Sequence, residues 1–130
     1  MQTITNFEIV RELPQVNTLI TPDDVYGIVD SNYLRESFIP WFREWCHSSG
    51  LSYKSAARDC DKFARAFAGQ VHFAAWRRQS LYPAAVGWMG VEGHALNFAR
   101  IQSGWVEIEP QTGDVRPLRR APGSILYAIL

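Results

Sequence analysis

Read along the chain, the hydrophobic positions divide into a helical first part and a β second part, with the change near Tyr82-Pro83. Residues 1–21 hold short apolar pieces broken by Pro14 and Asn17, the pattern of an extended arm or a weak strand pair. Thr21-Pro22-Asp23-Asp24 is a helix-start signal, with a hydroxyl cap, an early proline and acids at the positive helix end. It predicts a short helix from Asp23 to about Val29. Asp30 or Ser31 then caps a second helix to about His47, with Tyr33, Leu34, Phe38, Ile39, Trp41, Phe42 and Trp45 at near-helical spacing. Pro40 lies inside it, which predicts a kink or break near Ile39.

A third helix starts around Arg58 to Cys60, carries Phe63, Ala64, Phe67 and Ala68 on one face, and is ended or loosened by Gly69. Residues 70–82 fit either a further helix or a strand. Beyond Pro83 the pattern reads as β. Ala84 to Met89 is a strand and Gly90-Val91-Glu92-Gly93 a turn. His94 to Ile101 and Trp105 to Glu109 form a hairpin about Gln102-Ser103-Gly104. Val115 to Leu118 and Ser124 to Leu130 are short terminal strands. Helices first and an antiparallel sheet afterwards predict the α+β class, as one domain over residues 1–130.

Composition narrows the function. A formal net charge of zero argues against a nucleic-acid binder, and Arg116-Pro117-Leu118-Arg119-Arg120 reads as a solvated edge. No apolar run approaches membrane-spanning length, and the N-terminus lacks a basic region followed by an apolar one, so neither a membrane nor secretion is expected. Two cysteines, Cys46 and Cys60, make no disulfide framework, which points to a cytoplasmic protein with reduced thiols. Five Trp, five Tyr and seven Phe suggest a well-filled core, a groove, or both.

Cys60, His94 and Glu109 each sit in a setting suited to one chemical task. A cysteine attacks as thiolate, and free thiol has a pKa of about 8.5. A helix N-terminus lowers it and can also hold an oxyanion. Asp59 and Asp61 oppose that effect, so a positive partner such as a protonated His94 is required. Asp59 is placed to act as the helix cap. Cys46, late in a helix beside Trp45, is read as a packing residue.

Hairpin geometry selects the group that holds the imidazole. If the loop spans Ile101 to Gly104, Arg100 pairs with Trp105, Leu96 faces Glu109 and His94 faces Gln111. His94, Glu107, Glu109 and Gln111 then share a face, with Glu109 diagonal to His94 at about 7–8 Å between backbones. Glu107 is too far, and Gln111 is the alternative, since an amide oxygen also accepts an imidazole N–H. A one-residue slip would reverse the assignment.

Asp59-Cys60-Asp61-Lys62-Phe63-Ala64, Gly93-His94-Ala95-Leu96-Asn97 and Ile108-Glu109-Pro110-Gln111 together resemble the papain-like and transglutaminase-like cysteine peptidases over roughly residues 50–115. The bacterial transglutaminase-like branch and the papain-like domain attached to a mushroom lectin are the most similar. The resemblance implies a minimal papain-like core with Cys60 as nucleophile, His94 as base and Glu109 as third member. It implies a peptide or protein substrate and no cofactor. Papain has a glutamine upstream of its cysteine that completes the oxyanion hole. Leu51 to Asp59 holds none, so Tyr53 or Ser55 would take that place. The lectin-linked branch is calcium-dependent, but Asp23, Asp24, Asp59 and Asp61 form no recognisable calcium loop and no metal is expected.

Two functions follow as expectations. The first is a thiol hydrolase or acyltransferase working on amide bonds through a Cys60 thioester. The alternative is a non-catalytic binding or structural module, of the kind found among phage or bacterial accessory proteins, in which Trp76, Trp88, Trp105 and Tyr82 line a recognition groove. A zinc site from Cys60, His94 and His72 matches no zinc spacing.

Overall fold

The computed structural model describes residues 2–51 and 56–130, the side chains of residues 56–58 excepted. The chain opens with strand β1 (Thr3–Thr5) and helix α1 (Asn6–Glu12). A capping box starts α1: the Glu8 N–H donates to Thr5 Oγ1 and the Thr5 N–H donates to Glu8 Oε1. A helix here replaces the expected extended arm; Pro14 follows its end, where it cannot interrupt it. Strands β2 (Val16–Ile20) and β3 (Val25–Gly27) come next, and β3 pairs antiparallel with β1. The helix expected from Asp23 is therefore absent. Val25 and Tyr26 take up the hydrogen bonds that β1 offers, Tyr26 is buried, and its hydroxyl accepts the Asp23 N–H at 2.8 Å.

Asp30 does cap the second helix: its Oδ1 accepts the Tyr33 N–H at 2.8 Å. A π-helical turn (Tyr33–Phe38) leads into α2 (Ile39–Ser48). The irregularity expected near Ile39 is thus a wide turn and not a break. Pro40 has no N–H to donate backwards, and the looser π spacing accommodates it. Helix α3 (Ala56–Arg77) runs unbroken through Gly69. Cys60, Ala64, Phe67, Ala68, Val71 and Ala75 form one buried stripe along it, and that burial outweighs the cost of about 1 kcal/mol for an exposed helical glycine. Residues 70–77 are accordingly helix.

Five strands complete the chain: β4 (Val86–Val91), β5 (His94–Ile101), β6 (Gly104–Ile108), β7 (Val115–Pro117) and β8 (Ile125–Ile129). The main sheet has the order β2-β8-β4-β5-β6-β7. The fold is α+β, as the pattern indicates. The sheet is mixed, however, because β2 joins β8 in parallel at the edge. Strand β4 extends to Val91, which confines the expected turn to Glu92-Gly93.

Side-chain alternation gives the sheet two covered faces. Val86, Ala99, Ile101, Val106 and Ile108 pack with α2 and α3 through Phe38, Phe42, Phe67 and Val71. Met89, Leu96, Phe98, Ile125 and Ala128 form a second cluster with Ile9 of α1 and Leu13, the residue that caps its end. The helices therefore lie on both faces and not on one.

Small residues bring α3 close to the sheet. Cys60 and Ala64 pack on Ala95, with Trp88 against them. Beside this contact Asn97 is completely buried, and its Nδ2 donates to Ala64 O at 2.7 Å and to Gly87 O at 3.0 Å. One amide thus joins helix and sheet, while its Oδ1 has no partner among the described residues. We expect Asn97→Ala to lower stability by about 1–3 kcal/mol, the cost of leaving buried polar groups unmet. Urea denaturation reads this directly, and an unchanged midpoint would show that the clamp adds nothing.

Burial pushes the phenols of Tyr26 and Tyr127 up from their ordinary value. In the folded chain both hold their protons more tightly than in the unfolded one. Their contribution is complete below the unfolded pKa of about 10 and falls as pH rises through it. The melting temperature should therefore drop above about pH 10, and less steeply in Tyr127→Phe.

Candidate active site

His94 is the first residue of β5, opposite Val91 of β4. The hairpin register is the one the sequence predicts: Arg100 faces Trp105 and Phe98 faces Glu107. Paired strands end at Asn97 and Ile108, so Glu109 leaves β6 one residue beyond the ladder. Its carboxylate Oε2 lies 2.6 Å from His94 Nε2, a short, charge-assisted contact between half-buried side chains. This occupies Nε2 and leaves Nδ1 as the ring nitrogen available for other chemistry.

Glu109 is held in turn by its own backbone. The Glu109 N–H donates to Asp114 O at 2.9 Å and the Gly113 N–H donates to Glu109 O at 2.8 Å. Gln111 does not stand opposite His94. The chain turns at Pro110 to Thr112, because proline cannot donate to a continuing ladder, and the Gln111 side chain points toward α2. Among the described residues the buried Gln111 Nε2 has no hydrogen-bond partner.

Cys60 is buried in one small cluster with Ala64 and Ala95, the residue after His94. Alternation turns Ala95 and Asn97 toward α3 and His94 toward the layer of Leu96 and Phe98. Thiol and imidazole can therefore approach each other only round the end of the sheet where β5 begins. Cys60 is the fifth residue of α3 and not part of its first turn. Ala-Ala-Arg, all good helix formers, carry the helix back beyond the expected start. Cys60 N–H thus falls within the helical ladder, past the free N–H groups of the first turn. Asp59 is inside the helix too, so it is not the cap; it lies 3.9 Å from Lys62 Nζ instead. Tyr53 and Ser55, the oxyanion candidates, lie outside the described residues.

Sequence reasoning missed Tyr127. It comes from β8, more than sixty residues after Cys60, and its ring lies over Gly90, where an added Cβ would be 2.3 Å from Cε1. Trp88 meets this ring edge-on at 5.3 Å, and Arg65 stands 5.0 Å over Trp88. Besides burial, the charges of Asp61 and Cys60 also raise the Tyr127 phenol. A protonated hydroxyl donor therefore stands within electrostatic reach of the thiol. The only sequence signal was Gly90, a glycine in a strand that marks close approach of another group.

Other candidates are spread over the molecule. His72 Nε2 lies 2.9 Å from Val86 O, well along α3 from Cys60. Trp88 faces α3, Trp105 packs in the opposite layer and donates to Glu12 Oε1, and Trp76 is exposed, so the expected tryptophan groove does not form. Burial pushes the Cys46 thiol up, which fits its packing role. No group of three or more metal-ligating side chains occurs among the described residues.

No family model matches the chain, and no curated protein matches it. The geometry of the His94–Glu109 pair yields its own test. Glu109→Ala should slow iodoacetamide alkylation of Cys60 at pH 6 by roughly tenfold. Circular dichroism should be unchanged. Equal rates in the two proteins would remove Glu109 from any role at the thiol.

Proposed function

We propose that this protein is a thiol hydrolase or acyltransferase acting on amide bonds, with Cys60 as nucleophile, His94 as base and Glu109 as the group that orients His94. The observation that carries the reading is the 2.6 Å contact of His94 Nε2 with Glu109, with Cys60 in the cluster that holds Ala95, the residue after His94. The resemblance of the Cys60, His94 and Glu109 segments to papain-like and transglutaminase-like peptidases supports it.

In this reading His94 Nδ1 takes the Cys60 proton, and the thiolate attacks the amide carbonyl. The resulting oxyanion accepts a hydrogen bond, for which the Tyr127 hydroxyl is a donor from this side of the site. The C–N bond breaks, the amine leaves with the proton held by His94, and a thioester remains. Water or a second amine then attacks the thioester. His94 accepts the nucleophile's proton and returns it to sulfur, which regenerates the thiol. The substrate is a peptide or protein, and no cofactor is required. Both cysteines are free, which suits a reducing, cytoplasmic setting. No helix among the described residues is long and apolar enough to cross a membrane.

A second reading, a binding module on the same fold, draws on the burial of Cys60 and on an aromatic-walled groove. Tyr33, Phe38, Trp41, Trp45 and Phe73 line this groove between the π turn, α2 and α3. Intact-mass analysis with the epoxide E-64 separates the two. The catalytic reading expects one adduct on the wild type, none on Cys60→Ala, and strongly slowed labelling of His94→Ala. Cys46, with its raised pKa, should stay unmodified. A wild type that resists both E-64 and iodoacetamide would leave the binding module as the function.

A further inference from the structure

A cleft of about 780 Å³ lies between α2, α3 and the turn that follows Glu109. Cys60, His94 and Glu109 do not line it, but residues close to two of them in sequence do. Phe63, one turn after Cys60, forms part of one wall, and Gln111, two residues after Glu109, forms part of another. Arg35, Arg43 and His47 stand along its rim at four- and eight-residue spacings about Ile39, a single stripe of the helix. Glu44 is the one acid among the described residues of the lining. On a chain of zero net charge this is a local concentration of positive charge.

The arginines are not used up by the fold. Arg35 Nε donates to Ser31 Oγ at 3.3 Å, and among the described residues neither Arg35 nor Arg43 has a carboxylate within salt-bridge distance. Arg43 is also positioned. Its stem packs on Gly113, where an added Cβ would be 3.1 Å from Arg43 Cδ and 3.0 Å from Ile39 Cγ2. Gly113 has φ +85°, so both conformation and space call for glycine there. The turn that anchors Glu109 thus also seats Arg43. The Gln111 side chain lines the wall, with its own Nε2 buried. Forked guanidinium donors on a wet rim form a lining for a carboxylate.

We propose that this cleft is a substrate subsite of the Cys60 centre and that it takes a carboxylate of a peptide substrate. This rests on the thiol-hydrolase reading for the word substrate, but carboxylate binding itself does not require it. The carboxylate can belong to a glutamate or aspartate side chain or to a peptide C-terminus.

The test uses the full chain carrying Cys60→Ala, which removes the thiol chemistry. Three rhodamine-labelled alanine-based hexapeptides are titrated by fluorescence anisotropy: one with a central glutamate and an amidated C-terminus, one with glutamine in its place, and one without glutamate but with a free C-terminal carboxylate. We expect a carboxylate peptide to bind at least about tenfold more tightly than the glutamine peptide at low salt, and added salt to shrink that ratio. Arg43→Ser and, separately, Arg35→Ser should bring the ratio toward one without altering the circular dichroism spectrum. Tighter binding of the glutamate peptide assigns the side chain as the source; tighter binding of the free acid assigns the terminus. The preferred peptide should also slow iodoacetamide labelling of Cys60 in the wild type. Absence of binding, equal affinities, or a preference that survives both arginine substitutions would overturn the carboxylate site. Binding without protection of Cys60 would overturn its place beside the thiol. E-64 resistance combined with intact carboxylate preference would instead refute the hydrolase reading alone.

Discussion

The seating of α3 on the central strands controls the rest of this structure. The contact is made of small side chains, Ala64 on Ala95, with the fully buried Asn97 amide bonded to Ala64 O and Gly87 O at its side. Alanines alone would let the helix slide, because apolar contact is nondirectional. A buried amide with two fixed acceptors does not permit sliding without stranding polar groups. The height of α3 on β5 follows, and with it the placing of Cys60 on the residue after His94. Gly87 serves the same closeness on the other side, since a Cβ there would be 1.9 Å from Ile129 O.

The parts of the fold that local pattern governs were legible in the sequence. The β5–β6 hairpin is one: a short turn at Gln102-Ser103 fixes Arg100 opposite Trp105, and that register carries Glu109 to His94. The Asp30 cap and the irregularity before Pro40 are others, because each depends on one residue's own hydrogen bonds. The parts that long-range pairing governs were not. Thr21-Pro22-Asp23-Asp24 is a sound helix signal, yet Val25–Gly27 joins β1 as a strand. Gly69 is a sound stop signal, yet the buried stripe of α3 continues across it to Ala75. Val16–Ile20 has no local mark of its parallel partner β8. In each case tertiary burial outweighed a local preference of about 1 kcal/mol or less.

The candidate site divides along the same line. Cys60, His94 and Glu109 were nameable because their immediate neighbours suit their chemistry. Tyr127 and the arginine stripe were not, because each belongs to an element distant in sequence from the residues it is set beside. The stripe of Arg35, Ile39, Arg43 and His47 reads as an ordinary solvated helix face until the Gly113 turn is placed against it. Trp105 shows the opposite error: an aromatic expected in a groove belongs to a core layer, where its indole N–H meets Glu12.

The depth of Cys60 in its helix changes how a thiolate there would be stabilised. The field of a helix N-terminus falls off within the first turn, and Cys60 lies past it. Asp61, next to it, repels negative charge, and Asp59 is drawn toward Lys62. Little of the stabilisation can then come from the helix itself. In the proposed reading the remainder is left to the His94 ring, whose Nε2 Glu109 holds at 2.6 Å. Glu109 is in turn fixed by the Gly113 turn, the same turn that seats Arg43. Base orientation and the cationic rim of the cleft are thereby tied to one short segment, so a displacement of residues 110–113 disturbs both together.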